Sequence, residues 1–562
     1  MQSLKVQEFK SLSLAALLIA SATFVACSSD DNVIEETQQP AGVKTYTLTV
    51  LATKGEDAAG SRTTRALSLD GKTLNATWEE GEEVTVYNTT TGEALTGSLV
   101  AQSSGASTTL KGSLTGTIAN GDVLKLKFLS PSYASQNGTL EYIADNCDYA
   151  EATVTVSNVS GGGITTSNAT FVNQQAIVKF TLKKKADNSD LEIPAATALT
   201  VKDGTNDYTV TPASATNELF VAIPATSTVN LSTTVGGLTY SYEKTGAGLL
   251  AGKYYEITVK MSPRLAVKHA GDENYTMVTG STTLNDGDLL TGVLFDNYEI
   301  SIADGATVTL HNVTINGVDN LDYLWAGLNC LGNATINLAD GTTNNVKGFF
   351  SAYPGIYVPI YKTLTIQGTG TLNASSNGNA SGIGGGPGSG GGNIIIDGGT
   401  VTATGGQEAA GIGSGFANSC GDITIRGGTV TATGGEKAAG IGSGYASSYC
   451  GNITISGGTV TATCGSGAAT VIGSDNEYCG DITISGTPSV TLNNPNNNNF
   501  PVDLWTFMDT GKTINIAQMV WSSDSDWEIL SFGEPTLIED NTLKVQFGCL
   551  TAQQFVYRPV NN

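Results

Sequence analysis

The last third of the chain repeats itself at a fixed interval. The line Gly-Asn-Ile-Ile-Ile-Asp-Gly-Gly-Thr-Val at Gly392–Val401 returns as Gly-Asp-Ile-Thr-Ile-Arg-Gly-Gly-Thr-Val at Gly421–Val430. It returns again as Gly-Asn-Ile-Thr-Ile-Ser-Gly-Gly-Thr-Val at Gly451–Val460, and in degraded form from Gly480 to Val490. Asn393, Asp422, Asn452 and Asp481 mark near-equal steps along it. A period of this size, about 30 residues, means a stacked array in which each unit buries its apolar face against the next. Within one unit the alternation has period two. Ile423 and Ile425 share one face, Gly427-Gly428 turns the chain, and Val430 and Ala432 point inward between Thr429, Thr431 and Thr433. A third short strand follows at Ala439–Ser443. Three short strands per unit, separated by glycine turns, predict one coil of a right-handed parallel β-helix. Such coils expose backbone donors and acceptors up and down the stack, so the array needs covered ends.

The chain has 562 residues, room for three or four domains, and 69 glycines with few helical apolar patterns, which predicts an almost all-β protein. Its 27 basic and 51 acidic residues leave a net charge of −24. That balance excludes nucleic acid as a partner, because phosphates need a basic surface.

The segment 1–26 predicts an export signal. Lys5 and Lys10 precede a short apolar run from Leu12 to Phe24, which ends in Phe-Val-Ala-Cys27. This resembles a bacterial lipobox, which implies lipidation of Cys27 and a membrane anchor through that lipid. Ser28-Ser-Asp-Asp31 then resembles the surface-export signal of Bacteroidetes lipoproteins, which implies the outer face of the outer membrane. Residues 27–43 are polar and predict a flexible tether.

From Thr45 to Leu51 the chain alternates as a strand, and a polar loop with Arg62 and Arg65 follows. Ala76-Thr-Trp-Glu-Glu-Gly-Glu-Glu-Val-Thr-Val-Tyr87, then Phe171-Val-Asn-Gln-Gln-Ala-Ile-Val-Lys-Phe180, then Ala251-Gly-Lys-Tyr-Tyr255 come in order. The ordered set resembles the fimbrillin family of Bacteroidetes pilus and adhesion proteins over residues 40–262. The resemblance implies two transthyretin-like β-sandwich domains, placed at 44–147 and 148–262. It also implies a protease clip after Arg65 or Arg62 that removes the first strand. The groove left behind would take a strand from a neighbouring fimbrillin subunit, which is donor-strand complementation.

Ile336, Ile366 and Ile396 keep the same spacing, so the helix begins before the clear repeats, near residue 275, and runs to 492. Asn337-Leu-Ala-Asp-Gly-Thr-Thr-Asn-Asn-Val346 with Pro359-Ile-Tyr-Lys-Thr-Leu-Thr-Ile-Gln-Gly-Thr-Gly-Thr-Leu372 resembles a clostridial family of carbohydrate-binding β-helix proteins. The likeness covers residues 275–400. It implies an acidic plant polysaccharide bound with calcium. The regular glycine-rich coils depart from that family. Residues 493–562, with Trp505, Trp521 and Trp527, predict a C-terminal cap.

An aromatic stretch supplies the candidate binding residues: Tyr323, Trp325, Tyr353, Tyr357 and Tyr361, with Asp340 as a polar partner and Phe349 and Phe350 between. Aromatic rings stack on the apolar face of a sugar. Plant polysaccharide and host mucin are the glycan classes in view, and the same rings could instead fill the wide early coils. A threonine grid (Thr400, Thr402, Thr404; Thr429, Thr431, Thr433; Thr459, Thr461, Thr463) predicts a flat outward face. Cys420, Cys450 and Cys479 occupy one repeat column, about 4.8 Å apart by coil spacing. A thiol ladder, a disulfide or a metal site are the options there.

No catalytic residue is predicted, and we expect a binder rather than an enzyme. A hydrolase needs two placed carboxylates and a lyase needs a strong base. The two histidines, His269 and His311, are far apart in sequence. The Asn393/Asp422/Asn452/Asp481 column is a ladder rather than an acid–base pair, and such turn residues are usually structural.

Overall fold

The spacing of the isoleucines becomes a column in space. In the computed structural model Ile336 pairs with Ile366, Ile366 with Ile396, Ile396 with Ile425 and Ile425 with Ile455, each parallel and in register. All five are wholly buried. The structure describes residues 44–54, 68–70, 73–130, 132–446, 449–468, 471–474, 480, 482–485 and 488–493, with the later strands Met519–Ser523, Asp526–Leu530, Thr542–Val545 and Gln554–Tyr557. The expected signal, Cys27, the tether, Arg62, Arg65, Cys479, Asp481 and Trp505 lie outside the described residues.

Three parallel ladders form the walls of the helix. The first stacks Ala334–Leu338, Thr363–Gly368, Asn393–Ile396, Ile423–Ile425, Ile453–Ile455 and Ile482–Ser485. The second stacks Thr343–Lys347, Thr371–Ser375, Thr400–Thr404, Thr429–Thr433, Thr459–Thr463 and Ser489–Asn493. The third is built of shorter strands, from Thr282–Leu284 through Leu328–Cys330 and Ile356–Tyr357 to the Ile-Gly pairs at 383, 412, 441 and 472. Ala306–Asn316 serves the first ladder with one half and the second with the other. Gly384, Gly413 and Gly442 end their Ile-Gly strands because nothing larger fits. Gly413 has φ +133°, and a Cβ there would lie 1.8 Å from the Gly442 carbonyl oxygen of the next coil.

Antiparallel strands close both ends of the sheet that carries the first two ladders. Ala266–Lys268 lies against Leu289–Leu294 at the start, and Thr542–Val545 and Gln554–Tyr557 lie against Ile482–Ser485 and Ser489–Asn493 at the finish. They occupy the open strand edges that a solenoid must cover.

Two further hydrophobic cores precede the helix. The first belongs to a closed ring of pairings. Strand Lys44–Lys54 runs antiparallel to Ser107–Gly116 over ten residue pairs, and parallel to Gly163–Thr166 and Ala169–Asn173 on its other side. Its alternate residues Tyr46, Leu48, Val50 and Ala52 face the core, and so does Lys54. The second core belongs to an eight-stranded sheet from Ser135–Gln136 to Tyr254–Pro263. The one helix among the described residues, Leu140–Asn146, packs on it, capped where Thr139 Oγ1 accepts the Tyr142 N–H at 3.1 Å.

These sheets divide the chain elsewhere than the expected 147/148. Ala150–Ser160, Gly163–Thr166 and Ala169–Asn173 complete the first ring, while Ser135–Gln136 already pairs with Asp207–Val210 of the second sheet. The first ring closes only when Lys44–Lys54 finds partners far along the chain, so the two domains exchange segments. No helix among the described residues is long and apolar enough to cross a membrane.

Candidate functional site

The aromatic residues singled out in the sequence separate onto different corners of the helix. Tyr323 and Trp325 lie between Ala306–Asn316 and Leu328–Cys330, at the corner joining the second ladder to the third, and Tyr353 lies at the same corner one coil on. There Tyr323, Trp325 and Phe349 form one cluster, with ring centroids 5.5, 5.8 and 6.2 Å apart. Phe349 is buried, and the other two pack partly buried against the helix core. Tyr357 sits in the third ladder. Tyr361 lies beyond it at the corner leading back to the first ladder, 88% exposed and with φ +63°. A bulky residue in that backbone region is uncommon. Asp340 is at the remaining corner, where its carboxylate accepts the Thr369 hydroxyl at 2.7 Å. The structure therefore brings Tyr323, Trp325 and Tyr353 to one corner and leaves Asp340 and Tyr361 at two others.

A second aromatic group lies on the glycine-rich coils, where the repeat pattern drew attention to other residues. Phe416 and Tyr445 stand one repeat apart, at one position of successive coils. Their rings stack at 6.2 Å between centroids and 28° between planes. Lys437 Nζ lies 4.6 Å from the Tyr445 centroid and donates to Glu408 Oε1 at 3.2 Å. That hydrogen bond raises the Lys437 pKa and keeps the ammonium charged. The third ladder is only an Ile-Gly pair here, so the loops on its two sides meet, and the Tyr445 N–H donates to the Glu408 carbonyl at 2.9 Å. The outcome is a half-exposed ring pair with a carboxylate and an ammonium beside it. An aromatic recurring at one repeat position was the signal for it in the sequence.

The Asn/Asp column has the structural role expected of it. Asp304 Oδ1 accepts the Asn333 N–H at 2.6 Å, and Asn333 Oδ1 accepts the Thr363 N–H at 2.9 Å. Asn393 Oδ1 accepts the Asp422 N–H at 2.9 Å, and Asp422 Oδ1 accepts the Asn452 N–H at 2.8 Å. Each side chain thus holds the backbone of the coil that follows. The threonines form the outward grid: Thr400, Thr429 and Thr459 are in register, as are the 402 and 404 columns, with Val401 and Ala403 buried between. Among the described residues no three His, Cys, Asp or Glu side chains converge as metal ligands would. His269 does lie near a carboxylate, 3.1 Å from Asp288 Oδ1, but Asp288 also accepts the backbone N–H groups of Ala270 and Asn285 and fastens the start of the helix.

Comparison with known proteins finds two kinds of likeness. No curated protein matches the sequence. Among solved structures, a candidate cell adhesion protein of Bacteroides uniformis is similar at 12% identity, covering 40% of this chain and 94% of that one, with a TM-score of 0.23. A fimbrial assembly protein of Parabacteroides distasonis is similar at 13% identity, covering 42% of this chain and 99% of that one, with a TM-score of 0.22. A family model described as beta helix repeat matches residues 394–416, 423–445 and 453–470. The chain carries beta helix repeats, and the first two matched units end on the stacked rings of Phe416 and Tyr445.

Proposed function

We propose that this protein is a cell-surface adhesin, lipid-anchored at Cys27, whose β-helix is its carbohydrate-binding module. The observation that carries the reading is the Phe416/Tyr445 pair on the outer wall, with Lys437 and Glu408 beside it. Rings offer a flat apolar face to the C–H side of a sugar, and the neighbouring charged groups can bond its hydroxyls or a carboxylate. The Tyr323/Trp325 corner and exposed Tyr361 supply further aromatic surface. Binding without catalysis is part of the proposal. The resemblance of the early coils to calcium-dependent polysaccharide binders makes calcium the ion to vary.

A pilus-tip role belongs to the same reading: the chain would accept a donor strand once Lys44–Lys54 is cut away after Arg65 or Arg62, while its bulky C-terminal helix would hinder donation. One observation favours a second reading, a monomeric glycan-capture protein with no pilus role. Lys44–Lys54 is paired along both edges and buries five alternate side chains, so it is a committed part of the first domain.

The test is a glycan array on the purified protein, with calcium and with chelator, carrying pectic fragments and mucin glycans, with analysis of the bound polymer for cleavage. We expect uncleaved binding that weakens about tenfold in Tyr445→Ala, the equivalent of about 1.4 kcal/mol. Binding unchanged in Tyr445→Ala but lost in Trp325→Ala would move the site to the other corner. Binding of no glycan, or release of products, would overturn the reading.

A further inference from the structure

Cys420 and Cys450 hold the same position in successive coils and meet as an isolated parallel β-bridge. Backbone hydrogen bonds set the pairing: Cys420 N–H donates to the Tyr449 carbonyl at 3.1 Å, and Gly451 N–H to the Cys420 carbonyl at 3.0 Å. Both side chains are buried in the helix core, at 2% and 0% exposure. The structure holds them as thiols with the Sγ atoms 3.0 Å apart. That is closer than the ~3.5–4.0 Å optimum for non-bonded carbons, which are smaller than sulfur. Coil spacing sets the Cα atoms about 4.8 Å apart, inside the window a disulfide accepts. A bond needs the sulfurs to approach by only about 1 Å more.

We propose that Cys420 and Cys450 are an oxidation site, joined in the mature protein by a disulfide that ties two coils together. The two thiols give up two protons and two electrons as the S–S bond forms. An external disulfide of the glutathione or protein-disulfide class takes the electrons and leaves as two thiols. One cysteine thiolate attacks a sulfur of that donor to form a mixed disulfide, and the other then displaces the donor thiol. Because both sulfurs are buried, this exchange occurs while the coils are still closing. Once formed, the bond is shielded from reductant. It closes a ring of one full coil, so the glycine-rich stack can neither slip register nor unwind at that step.

The experiment maps the bond in the full chain. The protein is refolded in a glutathione redox buffer, unfolded, alkylated without reduction and digested with trypsin. Cleavage after Lys362, Arg426, Lys437 and Lys512 puts Cys420 on peptide 363–426, where it is the one cysteine, and Cys450 on peptide 438–512. We expect these peptides to run as one linked species, with fragmentation locating the bond at Cys450 rather than Cys464 or Cys479. The native protein should keep the link in reductant that removes it after unfolding. The mapping needs no variant; Cys450→Ser adds the expectation that the linked species disappears, and Cys464→Ser that it stays. Complete alkylation of Cys420, or its linkage to a cysteine other than Cys450, would overturn the assignment.

Discussion

The two halves of the molecule use β-structure in opposite ways. In the sandwich half the strands reach ten to twelve residues and most pairings are antiparallel, between segments of unlike sequence. In the helix a strand of the third ladder is two residues long, and like stacks on like: Ile412 on Ile441, Thr431 on Thr461, Ala432 on Ala462. A sandwich strand is held by its own set of partners, so it tolerates a local misfit but depends on singular features. A helix coil is held by identity with its neighbours, so any residue that alters the spacing of coils is felt above and below. The sandwich concentrates its specificity in a few buried groups; the helix spreads it along columns.

The sharpest way to break that comparison is a single methyl group. Gly413→Ala places a Cβ 1.8 Å from the Gly442 carbonyl oxygen, at φ +133°, so backbone must move. We expect a loss of more than about 4 kcal/mol, the range of severe overpacking and backbone strain. In the sandwich, Gly81 also has positive φ (+93°), but a Cβ there meets nothing within 4 Å. Gly81→Ala should cost only about 1 kcal/mol of backbone strain. Calorimetry of both variants measures it, with amide exchange along Ile441–Gly442 to localise the loss. Equal, small shifts in the two would mean that coil spacing is softer than the stacking implies.

The next largest effect tests the singular feature of the sandwich. Lys54 ends the first strand with its ammonium buried, 3.0 Å from Glu82 Oε2 and 3.8 Å from Asp148 Oδ2, over the Phe128 ring at 3.5 Å. Lys54→Met would leave two buried carboxylates without that cation, and we expect a cost of about 3–5 kcal/mol. The matching change in the helix is Arg426→Met, which removes a 3.2 Å pair to Asp397 whose side chains are 55% and 35% exposed. Solvent screens that pair, so its loss should stay below about 0.5 kcal/mol. Urea unfolding followed separately in each half distinguishes the two. A Lys54→Met protein as stable as the parent would remove buried charge from the account of the first domain.

These contrasts also explain what could be read from the chain. Period, strand positions and inward columns of the helix were legible, because Ile396, Ile425 and Ile455 announce their stacking by recurring. The division between the sandwich domains was not. Gly163–Thr166 joins Lys44–Lys54, and Ser135–Gln136 joins Asp207–Val210, through contacts that no local pattern marks. The candidate site was legible in part. Tyr323 and Trp325 are near neighbours in the chain, and Phe349 joins them because it occupies the same corner one coil on. The separation of Asp340 and Tyr361 was not legible, because the segment that joins them runs along the second ladder, round the intervening corner and along the third. Phe416 and Tyr445 escaped notice because they occupy a variable position of the repeat, beside columns that repeat without change.

The smallest expected effect asks how much a single rung of a column is worth. Asp422 Oδ1 accepts the Asn452 N–H at 2.8 Å, and it is charged where Asn393 and Asn452, in the same column, are neutral. If the column works as a row of hydrogen-bond acceptors, charge is incidental. Asp422→Asn should then be neutral, and Asp422→Ala should cost about 1 kcal/mol, the net worth of one such bond. Amide exchange at Asn452 measures it directly, because the loss should centre on that N–H. A large penalty for Asp422→Asn would instead make the carboxylate charge the stabilising element, and the column would no longer be a set of interchangeable parts. That outcome would bring the helix closer to the sandwich, with stability resting on a charged group rather than on the repeated hydrogen bond.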